Sequence, residues 1–368
     1  MAKYLRQDPK GGSGKRGRNV ILAVLLCFVI IAGAVVAFFW SKLDLIQYDN
    51  EIDYGVYSGT EPAEKLEEVL STEGEDTLHV DISGLEMVET VPVIPQSEIF
   101  DRENVLNILL IGTDERTEEF NTNARSDSMI LVSIDKDANT VKLVSLERGV
   151  AVPILEGQYK GEYDLLTHVF RYGGAELLTK TVEHCFKVDV DHYVRLNFHS
   201  VKQIVDAVGG IEIDMTKAEA EALNQGLNRN GGARKRLQAG INSVDGQTAL
   251  DFARLRAIDS DWQRVGRQRK VILAVVEKLK GSGLLTLNEL ADQVLPLVQT
   301  NFSKLEIAEL LLYAPIFLQA EFDQMTIPKQ GTYGGMTIMG GGGGFAVDYE
   351  VNNALLHDFL YGSEEKAE

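Results

Sequence analysis

The longest apolar stretch, VILAVLLCFVIIAGAVVAFFW at residues 20–40, runs for 21 positions without a charge. At about 1.5 Å per residue such a helix spans the roughly 30 Å hydrocarbon core of a bilayer, whereas a cleaved leader has an apolar region of only about 7–15 residues. The pattern predicts a retained membrane helix over residues 19–41. Further along, the periodicity changes. VLNILLIG (105–112) is an apolar run ending in glycine, as in a buried strand. SMILVSID and TVKLVSLE follow, joined by KDAN, and together predict a β-hairpin. GGAELLTKTVEHCFK has helical spacing, HYVRLNF reads as a strand, SVKQIVDAVGG as a helix closed by glycine, and GIEIDM as another strand. From Asp261, the residues Val265, Ile272, Val275, Val276 and Leu279 recur at helical spacing. Leucine-rich helical stretches cover 285–298 and 303–318, followed by a strand (FDQMTIP), a glycine run (MGGGGGF) and a last helix ending near LLHDFLYG. Strands alternating with helices predict a layered α/β fold, a mixed sheet with helices on its faces.

Charge orients this arrangement. The first 18 residues carry Lys3, Arg6, Lys10, Lys15, Arg16 and Arg18 against one acid, Asp8. Positive flanks stay on the cytoplasmic side, so the remainder is expected outside the cell. Subtracting those six basic residues and one acid from totals of 36 and 55 leaves 30 basic and 54 acidic residues, a net −24. So acidic a domain is a poor ligand for nucleic acid, and no nucleic-acid partner is expected. Residues 42–100 hold fifteen acids and two lysines and read as an acidic stem. The expected organisation is therefore a basic tail (1–18), a membrane helix (19–41), the stem (42–100), a core (101–281), and C-terminal helices and a strand (282–368) that complete the domain. Cys27 lies in the apolar run and Cys185 stands alone outside it, so no disulfide forms within the outer domain. A bacterial cell surface fits that usage better than a eukaryotic secreted setting.

Candidate chemistry sits where strands end, the usual place for ligands in α/β folds. Asp114 follows the first buried strand, Arg125 and Asp127 precede the next, and Arg148 follows the third. Taken singly, each is ordinary turn chemistry. Together, Asp114 and Asp127 offer hard oxygen ligands suited to Mg²⁺ or Mn²⁺, and Arg125, Arg148, Arg254 and Arg256 could fork onto phosphate oxygens. Arg264, Arg267 and Gln268 fall at i, i+3 and i+4 on one helix. A guanidinium 4 Å from a phosphate charge interacts by about 4 kcal/mol at an effective dielectric near 20, and crowded arginines without an anion repel one another comparably. Asp251, Asp259 and Asp261 offer the alternative of pairing on a solvated face. The glycine run lacks the lysine and Ser/Thr of a phosphate-binding loop and is expected to be a mobile surface loop. The six histidines show no zinc-site spacing.

Seven blocks in order carry a family resemblance: NILLIGTDER, RSDSMILVSID, VKLVSLERG, LLTHVFRYGGAELLTKTVE, YVRLNF, IVDAVGGIEIDM and LDFARLRAIDSDWQRVGRQRKVI. With the single N-terminal apolar run, they resemble the LytR-CpsA-Psr proteins of the bacterial cell envelope, over roughly residues 104–280. The resemblance implies a membrane-anchored, extracytoplasmic phosphotransferase of a Gram-positive type cell. Such an enzyme moves a teichoic-acid or capsule type glycopolymer from a polyprenyl-pyrophosphate carrier to peptidoglycan. It implies Mg²⁺ or Mn²⁺ at Asp114 and Asp127. Pyrophosphate would be held by Arg125, Arg148, Arg254, Arg256, Arg264, Arg267 and Gln268, with Arg125, Arg148, Arg254 and Arg256 also catalytic. Three departures stand out. Gly149 replaces the aspartate usual after the third-block arginine, Glu147 replaces a proline, and Leu165 replaces a lysine. If the strand continues, Glu147 points away from Arg148 and does not substitute for the aspartate. A non-catalytic receptor for the same lipid-linked glycan, or a hydrolase of its pyrophosphate, are the alternatives.

Overall fold

The computed structural model describes residues 40–49, 80–115, 119–120, 124–229, 236–256, 258, 260–280, 284–317 and 319–362. The chain divides into two units, Met1–Leu45 and Ile46–Glu368. The predicted membrane helix falls almost wholly outside the described residues; among those described, no helix is long and apolar enough to cross a membrane.

In the second unit the strands are β1 (Gln47–Tyr48), β2 (Val105–Thr113), β3 (Ser126–Asp135), β4 (Thr140–Leu146), β5 (Ala151–Pro153), β6 (Tyr163–Leu165), β7 (His192–Asn197), β8 (Ile211–Met215), β9 (Gly240–Val244), β10 (Gln299–Thr300), β11 (Glu321–Ile327), β12 (Tyr333–Thr337) and β13 (Gly343–Val347). The helices are α1 (Leu166–Phe186), α2 (Phe198–Ala207), α3 (Lys217–Arg229), α4 (Gly246–Arg254), α5 (Asp261–Lys280), α6 (Leu284–Val294), α7 (Lys304–Phe317) and α8 (Tyr349–Tyr361). Seven strands form a mixed sheet of order β1-β10-β7-β2-β3-β4-β11.

Period-two alternation divides the sheet's side chains between two cores. Leu109, Ile111, Met129, Leu131, Val144 and Leu146 face the core shared with α1 and α8. Ile108, Ile130, Val141 and Leu143 face the other, with Ile272 and Leu273 of α5 and Ile307 and Leu310 of α7 packed against it. Burial on both faces explains why these strands read as continuous apolar runs. Each of the fully buried leucines and valines stabilises the fold by roughly 1.5–3 kcal/mol. A separate cluster joins β8 and β9 to α2, α3, α4 and Val271 of α5.

The predicted strands and the helix from Asp261 occur as expected, and three differences stand out. Helix α1 begins at Leu166, with a break where Gly173 and Gly174 leave helical angles, so the LTH segment is helical too. Region 216–254 supplies α3, β9 and α4, which short, mixed patterns left unassigned. The glycine run forms the expected surface loop only in part: Gly340–Gly342 make an exposed turn, with Gly340 and Gly341 at φ of 78° and 83°, whereas Gly343–Val347 is strand β13, paired with β12. The two strand glycines serve close approach, since a Cβ on Gly344 would lie 2.9 Å from Ile338 and 3.1 Å from both Ala151 and Leu165. Parts of the 42–100 stretch are tied to the domain. Strand β1 pairs with β10, Met87 bridges Gly335, and Phe100 bridges Val188.

Candidate functional site

The chemistry collects at one end of the central strands, where β2 and β3 pair through a bulge at Gly112/Thr113. A bulge bends the ladder and re-aims side chains. Asp127 lies there, and its Oδ1 accepts from Nη1 of Arg148 at 2.7 Å. Asp261, in the first turn of α5, accepts from Nε of Arg148 at 2.9 Å and from Nε of Arg264 at 2.6 Å. A carboxylate in a first helical turn is also favoured by the helix dipole. Arg264 reaches back to the Asp127 carbonyl oxygen at 2.9 Å. Arg256 stands nearer the surface, 3.9 Å from both Asp127 and Asp261. Three guanidinium groups thus interleave with two carboxylates.

Burial works against ionising Asp127, but Arg148, Arg264, Arg125 and Arg256 outweigh it and hold the carboxyl below its usual range. Burial likewise opposes the charge on Asp261, and Arg264 and Arg148 overcome it, keeping that carboxyl well below the ordinary value. Burial and then the like charges of Arg148 and Arg264 bring Arg256 down to about 10. Arg256 is the cluster's least compensated cation, which suits it to an incoming anion.

Glu147 is the residue that sequence alternation misplaced. Strand β4 stops at Leu146, and the chain turns at once, with Val150 N–H donating to the Glu147 carbonyl at 3.2 Å. The turn brings Glu147 and Arg148 to the same partner, Asp261. Glu147 is fully buried, and neither carboxylate oxygen meets a protein donor. What faces it is Asp261, itself an acceptor, so the contact holds only with a proton between the two groups. Burial, then the charge of Asp261, push Glu147 up to about 8. The native state therefore keeps a proton that the unfolded chain releases near 4.5. This residue's contribution to stability is full below that value and is lost as pH rises through about 8; Asp261 acts oppositely, its contribution being lost in acid. Glu147→Gln is accordingly expected to flatten the fall in Tm between about pH 5 and 8, measured by scanning calorimetry. An unchanged slope would refute the shared proton.

Gly149 leaves no room for the absent aspartate. A Cβ there would meet Val80 Cγ2 at 2.9 Å and the Phe345 ring at 3.0 Å. Phe345 packs with Trp262 and Tyr333, the last two stacked with centroids 5.2 Å apart.

The other candidate residues take different places. Arg125 is paired with Asp114, its N–H and its Nε each donating to the carboxylate at 2.9 Å. Arg254 lies over the Phe198 ring, 4.5 Å from its centroid, at the mouth of an apolar cleft. Ile111, Leu196, Val201, Leu250, Ala253 and Val271 line that cleft, and Asp127, Arg254 and Gln268 also contribute to its wall. Arg267 is not brought to the cluster. It is buried, and it donates to the Leu255 carbonyl at 2.5 Å and to Glu219 at 3.4 Å. It clamps the α4 terminus to α3. Arg267→Met is expected to destabilise the domain by about 3 kcal/mol by stranding a buried carboxylate, with anion binding intact; denaturant titration checks this, and adding Glu219→Gln should restore part of the loss. Asp259 lies outside the described residues. Sequence reading also missed the buried Arg195, held by Glu115 and Gln299 and stacked on Phe170. Its signal was an arginine at an inward position between Tyr193 and Asn197 of the same strand.

Two aspartates with oxygen donors fit a divalent ion in kind, since Mg²⁺ commonly takes one or two carboxylates and completes its shell with phosphate and water. Both Asp114 oxygens already accept from Arg125, so an ion would compete with that arginine. Among the described residues, no group of three or more acidic, histidine or cysteine side chains forms a metal cage.

The model of the LytR_cpsA_psr family matches residues 57–345. Over 224 residues the chain is 30% identical to polyisoprenyl-teichoic acid–peptidoglycan teichoic acid transferase TagT of Bacillus subtilis, covering 60% of this chain and 67% of that protein. It is 32% identical over 206 residues to TagU of Bacillus anthracis, named for the same activity, covering 55% of this chain and 61% of the relative. The match thus spans about three fifths to two thirds of these relatives' length. A solved structure of TagT bound to LI-WTA superposes with a TM-score of 0.55 at 25% identity, covering 73% of this chain and 96% of that one. The sheet, the helices on its faces and the run of matched residues have one explanation: the chain belongs to the LytR_cpsA_psr family.

Proposed function

We propose that this protein is a phosphotransferase that moves a glycopolymer from a polyprenyl-pyrophosphate carrier onto peptidoglycan at the outer face of the cell membrane. One observation carries the reading: the interleaved cluster of Arg148, Arg256 and Arg264 shares Asp127 with the wall of a mainly apolar cleft that Arg254 and Gln268 also line. A pyrophosphate with a hydrocarbon tail has that same polarity. The names of TagT and TagU support the substrate class, and the 21-residue apolar run at 20–40 supports anchoring beside a lipid-borne substrate.

Phosphoryl transfer needs mainly positioning and charge neutralisation. The acceptor hydroxyl oxygen bonds to the glycan-side phosphorus, the bridging P–O bond breaks, and polyprenyl monophosphate leaves, the hydroxyl proton ending on the released phosphate. Arg148, Arg256 and Arg264 neutralise charge on the pyrophosphate oxygens, and Arg254 and Gln268 guide the phosphate–lipid junction into the cleft. Asp114 and Asp127 would hold a Mg²⁺ or Mn²⁺ ion, which when bound supplies further charge neutralisation on phosphate.

The test is incubation of the full-length chain with a short-chain polyprenyl-pyrophosphoryl glycan, Mg²⁺ and a peptidoglycan oligomer, with products followed by mass spectrometry. A metal-dependent glycan phosphodiester is expected. Tight lipid binding without turnover would replace the transferase by a receptor, a reading that the packed Gly149 favours because no carboxylate follows Arg148. Polyprenyl phosphate released without an acceptor would indicate a hydrolase. Val201→Trp at the half-buried cleft wall should weaken farnesyl pyrophosphate more than about tenfold, since each buried methylene contributes about 0.8 kcal/mol, and leave inorganic pyrophosphate unaffected; calorimetric titration of both ligands checks this.

A further inference from the structure

Glu147 has no assigned role, yet it is the fully buried carboxyl in contact with the cluster's own carboxylate. The groups that face it come from each element around it: Arg148 from its own turn, Asp261 and Arg264 from α5, and the Tyr333 hydroxyl from β12. Its backbone is fixed, the N–H donating to the Ile327 carbonyl at 2.8 Å, so the side chain cannot leave without opening the β4–β11 junction. No donor reaches its two oxygens. The charge count makes this consequential. Arg148, Arg256 and Arg264 meet Asp127 and Asp261, leaving a surplus of one positive charge while Glu147 is neutral and none once it ionises.

We propose that Glu147 is a positioning residue of the anion site, acting through Asp261: with its proton it donates to Asp261 and leaves the guanidinium groups to phosphate, and without it the two carboxylates repel and the cluster loses its hold on the ligand. This rests on the pyrophosphate-binding reading above. Gly149 provides no carboxylate beside Arg148, and Glu147 is the acidic group that the turn puts there instead. Since bound phosphate favours the protonated form further, affinity is level below about pH 8 and declines above it.

The experiment is calorimetric titration of the full-length chain in detergent with farnesyl pyrophosphate from about pH 6.5 to 9, for wild type, Glu147→Gln and Glu147→Leu. The variant-to-wild-type ratio at each pH cancels the ligand's own ionisation. Wild type should lose about tenfold relative to Glu147→Gln between pH 7 and 9, while the two agree near pH 7. Glu147→Leu, which cannot donate, should bind more weakly than both at pH 7. A Glu147→Gln profile that declines in parallel with wild type overturns the proposal and leaves the pyrophosphate site standing. Absence of farnesyl pyrophosphate binding by wild type at every pH overturns both. If Glu147→Gln does not fold, Asp261→Asn replaces it: no second carboxylate is then left to repel ionised Glu147, so the decline between about pH 7 and 9 should flatten, and a decline as steep as in wild type overturns the proposal.

Discussion

Arg148→Ala is expected to reduce glycopolymer transfer by about a thousandfold or more and to lower stability by about 3–5 kcal/mol. Both effects come from one geometry. Arg148 spans Asp127 and Asp261 with separate nitrogens, at 2.7 and 2.9 Å, and its side chain is only 4% exposed. Removing it leaves two poorly solvated carboxylates facing each other, with Glu147 behind them. Arg148→Lys keeps the charge but cannot donate in two fixed directions, so it should restore part of the stability and little of the transfer. Denaturant titration and the mass-spectrometric assay, run on the same preparations, separate the two losses. Full activity in Arg148→Ala would remove the cluster from the chemistry.

Gly149→Asp should fail as a repair of the departure from the family pattern. The new Cβ would meet Val80 and the Phe345 ring near 3 Å, and Gly149 O accepts from Phe345 N–H at 2.9 Å, so the turn cannot easily swing away. Overpacking of this kind costs about 1–3 kcal/mol, and burying an unpaired carboxylate adds to it. The expected result is a destabilised protein with no gain in transfer. Phe345→Ala in the same chain makes room and should recover part of the stability. A gain of transfer by Gly149→Asp alone would mean that the pocket accommodates the carboxylate and that Glu147 has not taken over its place. The two substitutions therefore bracket the same turn, one by removing its cation and the other by adding an anion.

The residues of this turn also mark where sequence reasoning stopped. Placing Glu147 away from Arg148 assumed that β4 continues, and alternation is a property of strands alone. The strand's end is set by distant partners: Thr167 N–H donates to the Arg148 carbonyl, and Phe345 N–H to that of Gly149. Arg264 and Arg267 were placed on one helix face by their spacing, yet the first reaches Asp127 and the second Glu219. Helix α5 lies between the sheet and the cluster that includes α3 and α4, and long flexible side chains can turn to either. The glycine run read as one loop, yet Gly340 and Gly341 serve a turn and Gly344 a contact, because composition does not reveal whether a missing Cβ is needed for backbone conformation or for close approach.

By itself the sequence determined the sheet and most helices around it, because period-two and 3.6-residue patterns are local and record which face of each element is buried. It also named Asp127, Arg148, Arg256 and Arg264 as residues to watch. Only the tertiary structure decided which charges meet. Those side chains come from a bulge, a turn, a loop and a helix that lie far apart in the chain, and their electrostatic balance depends on distances that no local pattern encodes. The same reason makes Glu147, which strand alternation turned away from the site, its fully buried acid.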